Sequence, residues 1–352
     1  MKSLIKQVAF IPILLGLIGI NNVFTQDKKA EDQILQAYEY RMSGDRNKAE
    51  SLLWGVLAED SSNHMAHFEL SRTLNSQKKW DHIRKANEYN PDNPMYMFTR
   101  ANMCMISTYS IMKNNKRSIL KKRVKKCCSI FEQVLTIQPD CKETLIALVD
   151  IYSNMPAELG GNKDIAIKHL ESLKELDPLY YHQGKLLVRN DSLSPSQYWK
   201  DYIKKHKKNT DALAMLCRAY LLENKIEEAT KTIKKIIAKD KSGYELYLHV
   251  ARAHLYGAMQ NDGSNNEQLE SIKTNINIYL KNENIKPARI EAWCYGWLGV
   301  VEGKQGNQQQ SEFYLKKAEG IFPNYPKFTA LPVIDGPPNE TKYKYTSFFR
   351  PF

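Results

Sequence analysis

The stretch that decides the fold is Trp293-Cys294-Tyr295-Gly296-Trp297-Leu298-Gly299, followed by Gly306, then Tyr314-Leu315, Ala318 and finally Phe322-Pro323. Apolar residues recur three and four apart on both sides of Gly306-Asn307, the spacing of two amphipathic helices joined by a turn, and Pro323 ends the second one. Gly299 and Ala318 place small side chains where the two helices must approach most closely. The same offsets recur in residues 30–63, at Ala37, Tyr40, Gly44, Asp45, Ala49, Leu53 and Leu57, and in residues 210–243, at Leu213, Leu216, Cys217, Tyr220, Ala229, Ile233 and Ile236.

Between these units the phase is carried by loop chemistry. Asn90-Pro91-Asp92-Asn93, Gln138-Pro139-Asp140 and Leu176-Asp177-Pro178 each follow an amphipathic run, as proline does past a helix C-terminus. The expected units lie near 30–63, 64–93, 94–141, 142–178, 179–209, 210–243, 244–287 and 290–323, with 179–209 degenerate and its second helix beginning at Pro195. A hairpin of this kind leaves an apolar face that only its neighbour can cover, so the units must stack.

The pattern resembles the tetratricopeptide repeat (TPR) family, which repeats a helix-turn-helix of about 34 residues with small and large residues at fixed offsets. The resemblance implies an all-α, right-handed superhelical solenoid of about eight helical hairpins, whose first helices line a concave face that holds a peptide or a partner helix. On that register Tyr38, Arg41, Asp150, Asn154, Arg218, Arg252 and Trp293 are the candidate binding residues.

Residues 1–26 read as a secretory signal: Lys2 and Lys6, an apolar stretch from Val8 to Ile20, then a polar end with cleavage near Thr25 or Gln26. The stretch is shorter than the ~20 apolar residues that span a bilayer. Export then places the mature chain on the outer side of the membrane, in the periplasm if the Lys-, Asn- and Ile-rich style marks a Gram-negative bacterium. Loss of Lys2 and Lys6 would lower the formal charge from +12 to +10. In that compartment a basic protein meets anionic envelope surfaces and acidic proteins sooner than nucleic acid. Six cysteines over 352 residues are too sparse for a disulfide scaffold, but antiparallel helices can bring Cys104 to Cys127 or Cys128, while Cys217 and Cys294 fall within apolar patterns as buried small residues.

Other features have plainer readings. The run Lys113, Lys116, Arg117, Lys121, Lys122, Arg123, Lys125 and Lys126 is interrupted by Ile119, Leu120 and Val124, the pattern of a solvated helix face over a buried stripe, and it lacks the interleaved aromatics that stack nucleic-acid bases. Gly160-Gly161 lies in a lengthened turn that also resembles the double-glycine turn of some periplasmic TPR proteins accompanying solute transporters. His64 and His67 share a helix face without a zinc-site pattern, and read as capping or surface residues. Neither a nucleophile elbow nor a cofactor motif occurs, so the chain reads as non-enzymatic, with no cofactor and no metal. The tail 324–352, with Pro326, Pro332, Pro337, Pro338 and Pro351 and with Tyr343, Tyr345, Phe348 and Phe349, is expected to be an extended cap on the last helices. The leading reading is an envelope scaffold that binds a protein or peptide along its concave face. The alternative is a small-ligand-binding TPR protein associated with a solute transporter, motivated by the double-glycine turn and by Trp293 and Trp297.

Overall fold

A computed structural model describes residues 11–112, 116–189, 193–206, 209–260, 266–283, 286–323, 325 and 336–339; side chains are not described for 11–26, 242 and 256–260. The described residues form sixteen α-helices and no strand. They divide into two compact units, one made of Met1–Arg41, Asp45–Pro91 and Pro337–Glu340 and the other of the rest of the chain.

The first unit holds helices α1 (Ile11–Met42), α2 (Arg46–Glu59), α3 (His64–Thr73) and α4 (Lys78–Tyr89). Its core is made by Ile34, Ala37, Ala49, Leu53, Val56, Leu57, Ala66, Leu70 and Leu74, which includes the small and large positions Ala37, Ala49, Leu53 and Leu57 of the repeat pattern. The expected signal segment falls partly outside the described residues and partly on the start of α1. Among the described residues no helix is long and apolar enough to cross a membrane.

The second unit holds α5 (Pro94–Ser110), α6 (Arg117–Ile137), α7 (Lys142–Asn154), α8 (Lys163–Leu176), α9 (Pro178–Val188), α10 (Pro195–Lys205), α11 (Thr210–Leu222), α12 (Ile226–Ile237), α13 (Leu246–Gln260), α14 (Asn266–Lys281), α15 (Ala288–Lys304) and α16 (Gln308–Ile321). Consecutive helices pack as hairpins: α5 on α6, α7 on α8, α11 on α12, α13 on α14 and α15 on α16. In the last pair a Cβ added at Gly299 would stand 2.7 Å from Leu315 and 3.0 Å from the Ser311 carbonyl, and Ala318 is fully buried. The two helices therefore meet at the small residues that the pattern placed there.

Three turns show the repeat at the level of the backbone. Gly44, Asn224 and Gly306 all take positive φ, at +92°, +55° and +84°. In each case the next residue donates its N–H across five residues, Asp45 to the Tyr40 carbonyl (2.8 Å), Lys225 to Tyr220 (2.8 Å) and Asn307 to Glu302 (2.9 Å). This is the closing bond of a Schellman turn, which satisfies a carbonyl at the helix end and needs a left-handed residue just before the donor. Units 30–63, 210–243 and 290–323 thus share one turn geometry as well as one apolar pattern.

Other helix starts use side-chain caps. Asn63, Asn93, Asn162, Asp177 and Asn209 each accept hydrogen bonds from backbone N–H groups two or three residues on, which satisfies donors left open in a first turn. Pro94, Pro178 and Pro195 each occupy the first turn of a helix, where no N–H is needed. Pro178, expected as a stop after one helix, is the start of the next: Asp177 is both the C-cap of α8 and the N-cap of α9.

The degenerate unit at 179–209 does contain a second helix from Pro195, but it does not close as a packed hairpin. Helix α9 packs back on α7 and α8, and α10 packs forward on α11. The core divides at the same place, one cluster running from Phe98 to Leu173 and the next from Trp199 to Val250. Between α9 and α10, His182 Nδ1 lies 2.5 Å from the Tyr198 hydroxyl and the His182 and Tyr202 rings are 4.5 Å apart, while Leu179 and Leu186 of α9 pack on the second cluster.

The tail is described only at 325 and 336–339. Tyr325 packs with Ala292, Ala318 and Phe322 on the last hairpin, against Gly296, where a Cβ would come within 2.2 Å of its ring. Residues 337–339 group instead with the first unit, where the Asn339 amide donates to Glu31 at 3.1 Å. Tyr343, Tyr345, Phe348 and Phe349, expected to form the cap, lie outside the described residues.

Candidate functional site

The seven candidate binding residues do not share one environment. In the first unit Arg41 is only 6% exposed and its Nε donates to Glu69 Oε1 at 2.5 Å. Glu69 is fully buried on α3 and also accepts from Arg72, whose Nε lies 3.0 Å from Oε2. Tyr38 lies under this pair, its ring 5.4 Å from the Arg41 guanidinium and 6.0 Å from that of Arg72. The first-helix register placed Tyr38 and Arg41 together. It missed Glu69, which draws Arg41 into the interior, because a buried charge is tolerated only with a partner beside it.

In the second unit Arg252 and Trp293 are also buried, and Trp293 is 0% exposed beside Trp297, ring centroids 6.3 Å apart. The indole is core: it packs with Leu248, Ile276 and Leu298 and offers no open face. Arg218 is half-buried, with Nη1 3.8 Å from the Met215 sulfur; burial pushes the Glu245 carboxyl up, and the charge of Arg218 only partly offsets it.

Asp150 and Asn154 are the pair that sequence and structure place together most directly. They stand one turn apart on α7, and the Asn154 amide donates to Asp150 Oδ1 at 2.6 Å. Burial pushes the Asp150 carboxyl up to about 6, and the Asn154 hydrogen bond only partly offsets it. Its negative charge reaches Tyr109 on α5, whose hydroxyl is pushed up to about 12 by burial first and then by Asp150 and Cys128. Tyr109 is nonetheless 45% exposed, and Ile106, one turn earlier on α5, is also exposed. Tyr109 on α5 thus lies within electrostatic reach of the half-buried Asp150 carboxylate on α7, with Ile106 exposed one turn earlier on α5 and the Asn154 amide exposed on α7. Ile106 and Tyr109 were missed in the sequence, although their spacing of three puts them on one helix face.

The histidine reading changes. His67 is buried, not a cap or a surface residue: its Nδ1 lies 2.8 Å from Nδ1 of His82 and its Nε2 3.1 Å from the Ser61 carbonyl. A carbonyl only accepts, so His67 carries its proton on Nε2, its Nδ1 accepts, and His82 donates from Nδ1. Burial depresses both rings, and with the neighbouring His67 it takes His82 down to about 4. Among the described residues no cluster of His, Cys, Asp and Glu could hold a metal ion.

The double-glycine turn is internally satisfied. The N–H groups of Gly160, Gly161 and Asn162 donate to the carbonyls of Ala157, Pro156 and Tyr152, and a Cβ at Gly161 would sit 1.7 Å from the Met155 carbonyl oxygen. Those donors are not turned toward a ligand. Cys104 is joined to Cys127, and Cys128, Cys141, Cys217 and Cys294 are free and buried.

Repeated antiparallel hairpins, three of them closed by the same Schellman turn, define an all-α helical repeat with a TPR-like fold. No protein-family model matches the chain, and no curated protein does. Among solved structures the chain is similar to a tetratricopeptide repeat protein from Parabacteroides merdae ATCC 43184, at 13% identity over 84% of this chain and 93% of that one, TM-score 0.37. It is also similar to YrrB, a TPR protein with an unusual peptide-binding site, at 12% identity over 69% and 93% of the two chains, TM-score 0.28. A third is PilW, a widely conserved type IV pilus biogenesis factor, at 14% identity over 85% and 96%, TM-score 0.29. The repeat class itself follows from the chain's own hairpins and turns.

Proposed function

We propose that the chain is a non-enzymatic interaction scaffold of the cell envelope, and that it holds a protein or peptide against the first helices of its hairpins. The observation that carries this reading is Asp150. Its carboxyl is raised to about 6 because it is kept half-buried without a cation among the groups that shift it, which costs the fold stability when the acid is ionised. Perturbed carboxyls of this kind gather at functional sites. An incoming backbone amide or basic side chain would supply the missing donor, Asn154 would add a second polar contact, and Ile106 and Tyr109 would supply apolar area. Export is supported by the basic-then-apolar start of the sequence and by the Cys104–Cys127 disulfide, which persists in oxidising compartments. The features that favoured a small-ligand binder are otherwise occupied, Trp293 and Trp297 in the core and the glycine turn in its own hydrogen bonds.

Crosslinked affinity capture from envelope extracts tests the reading. A protein recovered with the native chain and lost with Tyr109→Ala and Asp150→Asn is the expected result. Recovery of nothing above background would count against a scaffold.

A further inference from the structure

Helix α6 begins in a way that is unfavourable for a helix. Lys116 is its N-cap and makes no side-chain cap hydrogen bond, and its first turn contains no acid. Lys121, Lys122, Lys125 and Lys126 follow Arg117 within the next turns. The N-terminal end of a helix carries a partial positive charge that favours acidic side chains over its first turn, so it repels Lys116 and Arg117, while the lysines beyond repel one another along the helix.

The buried side of α6, made by Leu120, Val124, Cys127 and Cys128, fixes which side looks outward. Lys116, Arg117, Lys121, Lys122, Lys125 and Lys126 are all exposed. Arg123 is the exception, turned in to donate to the Ser107 hydroxyl at 2.5 Å. Arg117 reaches Glu158 at 3.9 Å, and none of the five lysines has an ion pair with a described residue. Ile119 lies among them, 45% exposed, where the sequence pattern had placed it in the buried stripe. The result is a basic strip roughly 15 Å long at 1.5 Å per residue, in which five of six exposed cations have no ion pair among the described residues, with an apolar side chain inside it.

We propose that this face of α6 docks on a membrane surface containing anionic lipid, with headgroup phosphates among the lysines and Ile119 entering the headgroup layer. A linear array on a convex helix face suits a planar anionic surface, which takes basic side chains at about fivefold in partition per residue, ~1 kcal/mol each. The exposed isoleucine selects a lipid surface over a soluble acidic polymer, which gains nothing from it, since interfacial helices bind by apolar insertion and charge together. Helix α6 is the second helix of its hairpin, so docking there leaves Tyr109, Asp150 and Asn154 free for a partner.

Sedimentation of the full chain with phosphatidylcholine vesicles, alone or mixed with phosphatidylglycerol, tests the proposal. The ratio of the two partition coefficients removes the contribution of the apolar residues 8–20, and comparison with the variants removes that of Lys2 and Lys6, which all of them keep. The native chain should prefer the mixed vesicles, and added salt should erase the preference. The combined change Lys121→Gln, Lys122→Gln, Lys125→Gln and Lys126→Gln should lower partition to mixed vesicles by more than about a hundredfold at fivefold per lysine. Ile119→Ser leaves the charge intact and should lower it severalfold, so it decides the matter if the quadruple variant fails to fold by circular dichroism. Equal partition to both vesicle types, or native partition by the variants, would overturn the proposal. So would binding to a soluble polyanion such as polyglutamate without binding to mixed vesicles.

Discussion

Replacing Glu69 with alanine should unlock the first unit. The carboxylate is fully buried between Arg41, whose Nε is 2.5 Å from Oε1, and Arg72, whose Nε is 3.0 Å from Oε2. Both arginines are themselves shielded, at 6% and 9% side-chain exposure. Glu69→Ala therefore takes from two shielded guanidinium groups the buried carboxylate that they share. Removing one partner of a buried ion pair costs about 3–5 kcal/mol, and here one substitution strips both cations, so about 4 kcal/mol is the expected loss. In a stacked repeat the damage stays near its source, which makes hydrogen exchange a better assay than a global melt. Amides of α1, α2 and α3 should lose roughly two to three decades of protection, at 1.4 kcal/mol per decade. Replacing the trio together, Arg41→Met, Glu69→Leu and Arg72→Met, should recover most of it, since an apolar set removes the desolvation cost as well as the attraction. If Glu69→Ala changes protection by less than about one decade, the two arginines are solvated, and Arg41 belongs on a binding surface as its register first indicated.

Asp150→Asn should stabilise the second unit at neutral pH. The folded carboxyl is raised from 3.8 to about 6, so the fold binds this proton more tightly than the unfolded chain and loses stability as pH rises across that window; after discounting for half-exposure, the gain is about 1–2 kcal/mol. Urea melts should show it, and it should vanish below the ordinary carboxylate value. His82 acts with the opposite slope: its folded value is depressed from 6.5 to about 4, so its contribution is complete above 6.5 and disappears as pH falls toward 4. His82→Phe should flatten that acid loss, followed through the fluorescence of Trp54, whose ring lies 5.1 Å from His82. Reduction of Cys104–Cys127, which closes a loop of sequence separation 23, should cost about 3 kcal/mol. Peptide mapping of the unreduced exported chain should find that pair, and a Cys104–Cys128 peptide would contradict it.

How much of this was legible in the sequence depended on the range of each interaction. The turns at Gly44 and Gly306 could be read because the left-handed residue, its neighbours and both helices lie within one short window. Asn224 does the same work and escaped notice because asparagine is a weaker signal of positive φ than glycine. Ala37, Ala49, Leu53 and Ala318 were placed correctly for the same local reason. Depth was another matter. Helical register says which side of a helix a residue occupies but not what lies opposite. Arg41 and Trp293 thus became candidate contacts, although Glu69, 28 residues on, holds the first in the interior and a second tryptophan packs beside the other. His67 failed similarly, because His82, its partner 15 residues away, sits on the other helix of the hairpin. Asp150 and Asn154 were found as neighbours four apart, yet the strain in that pair comes from burial, which periodicity does not measure.

The central claim is that a partner lies on the first helices, and position-specific photocrosslinking in the cell of origin addresses it most directly. A crosslinking side chain at Asn154, exposed on α7, is compared with one at Lys168, exposed on α8 of the same hairpin. The expected result is a discrete protein adduct from position 154, absent from position 168 and lost when Tyr109→Ala is added. No adduct from position 154, or the same adducts from both helices, would contradict the account.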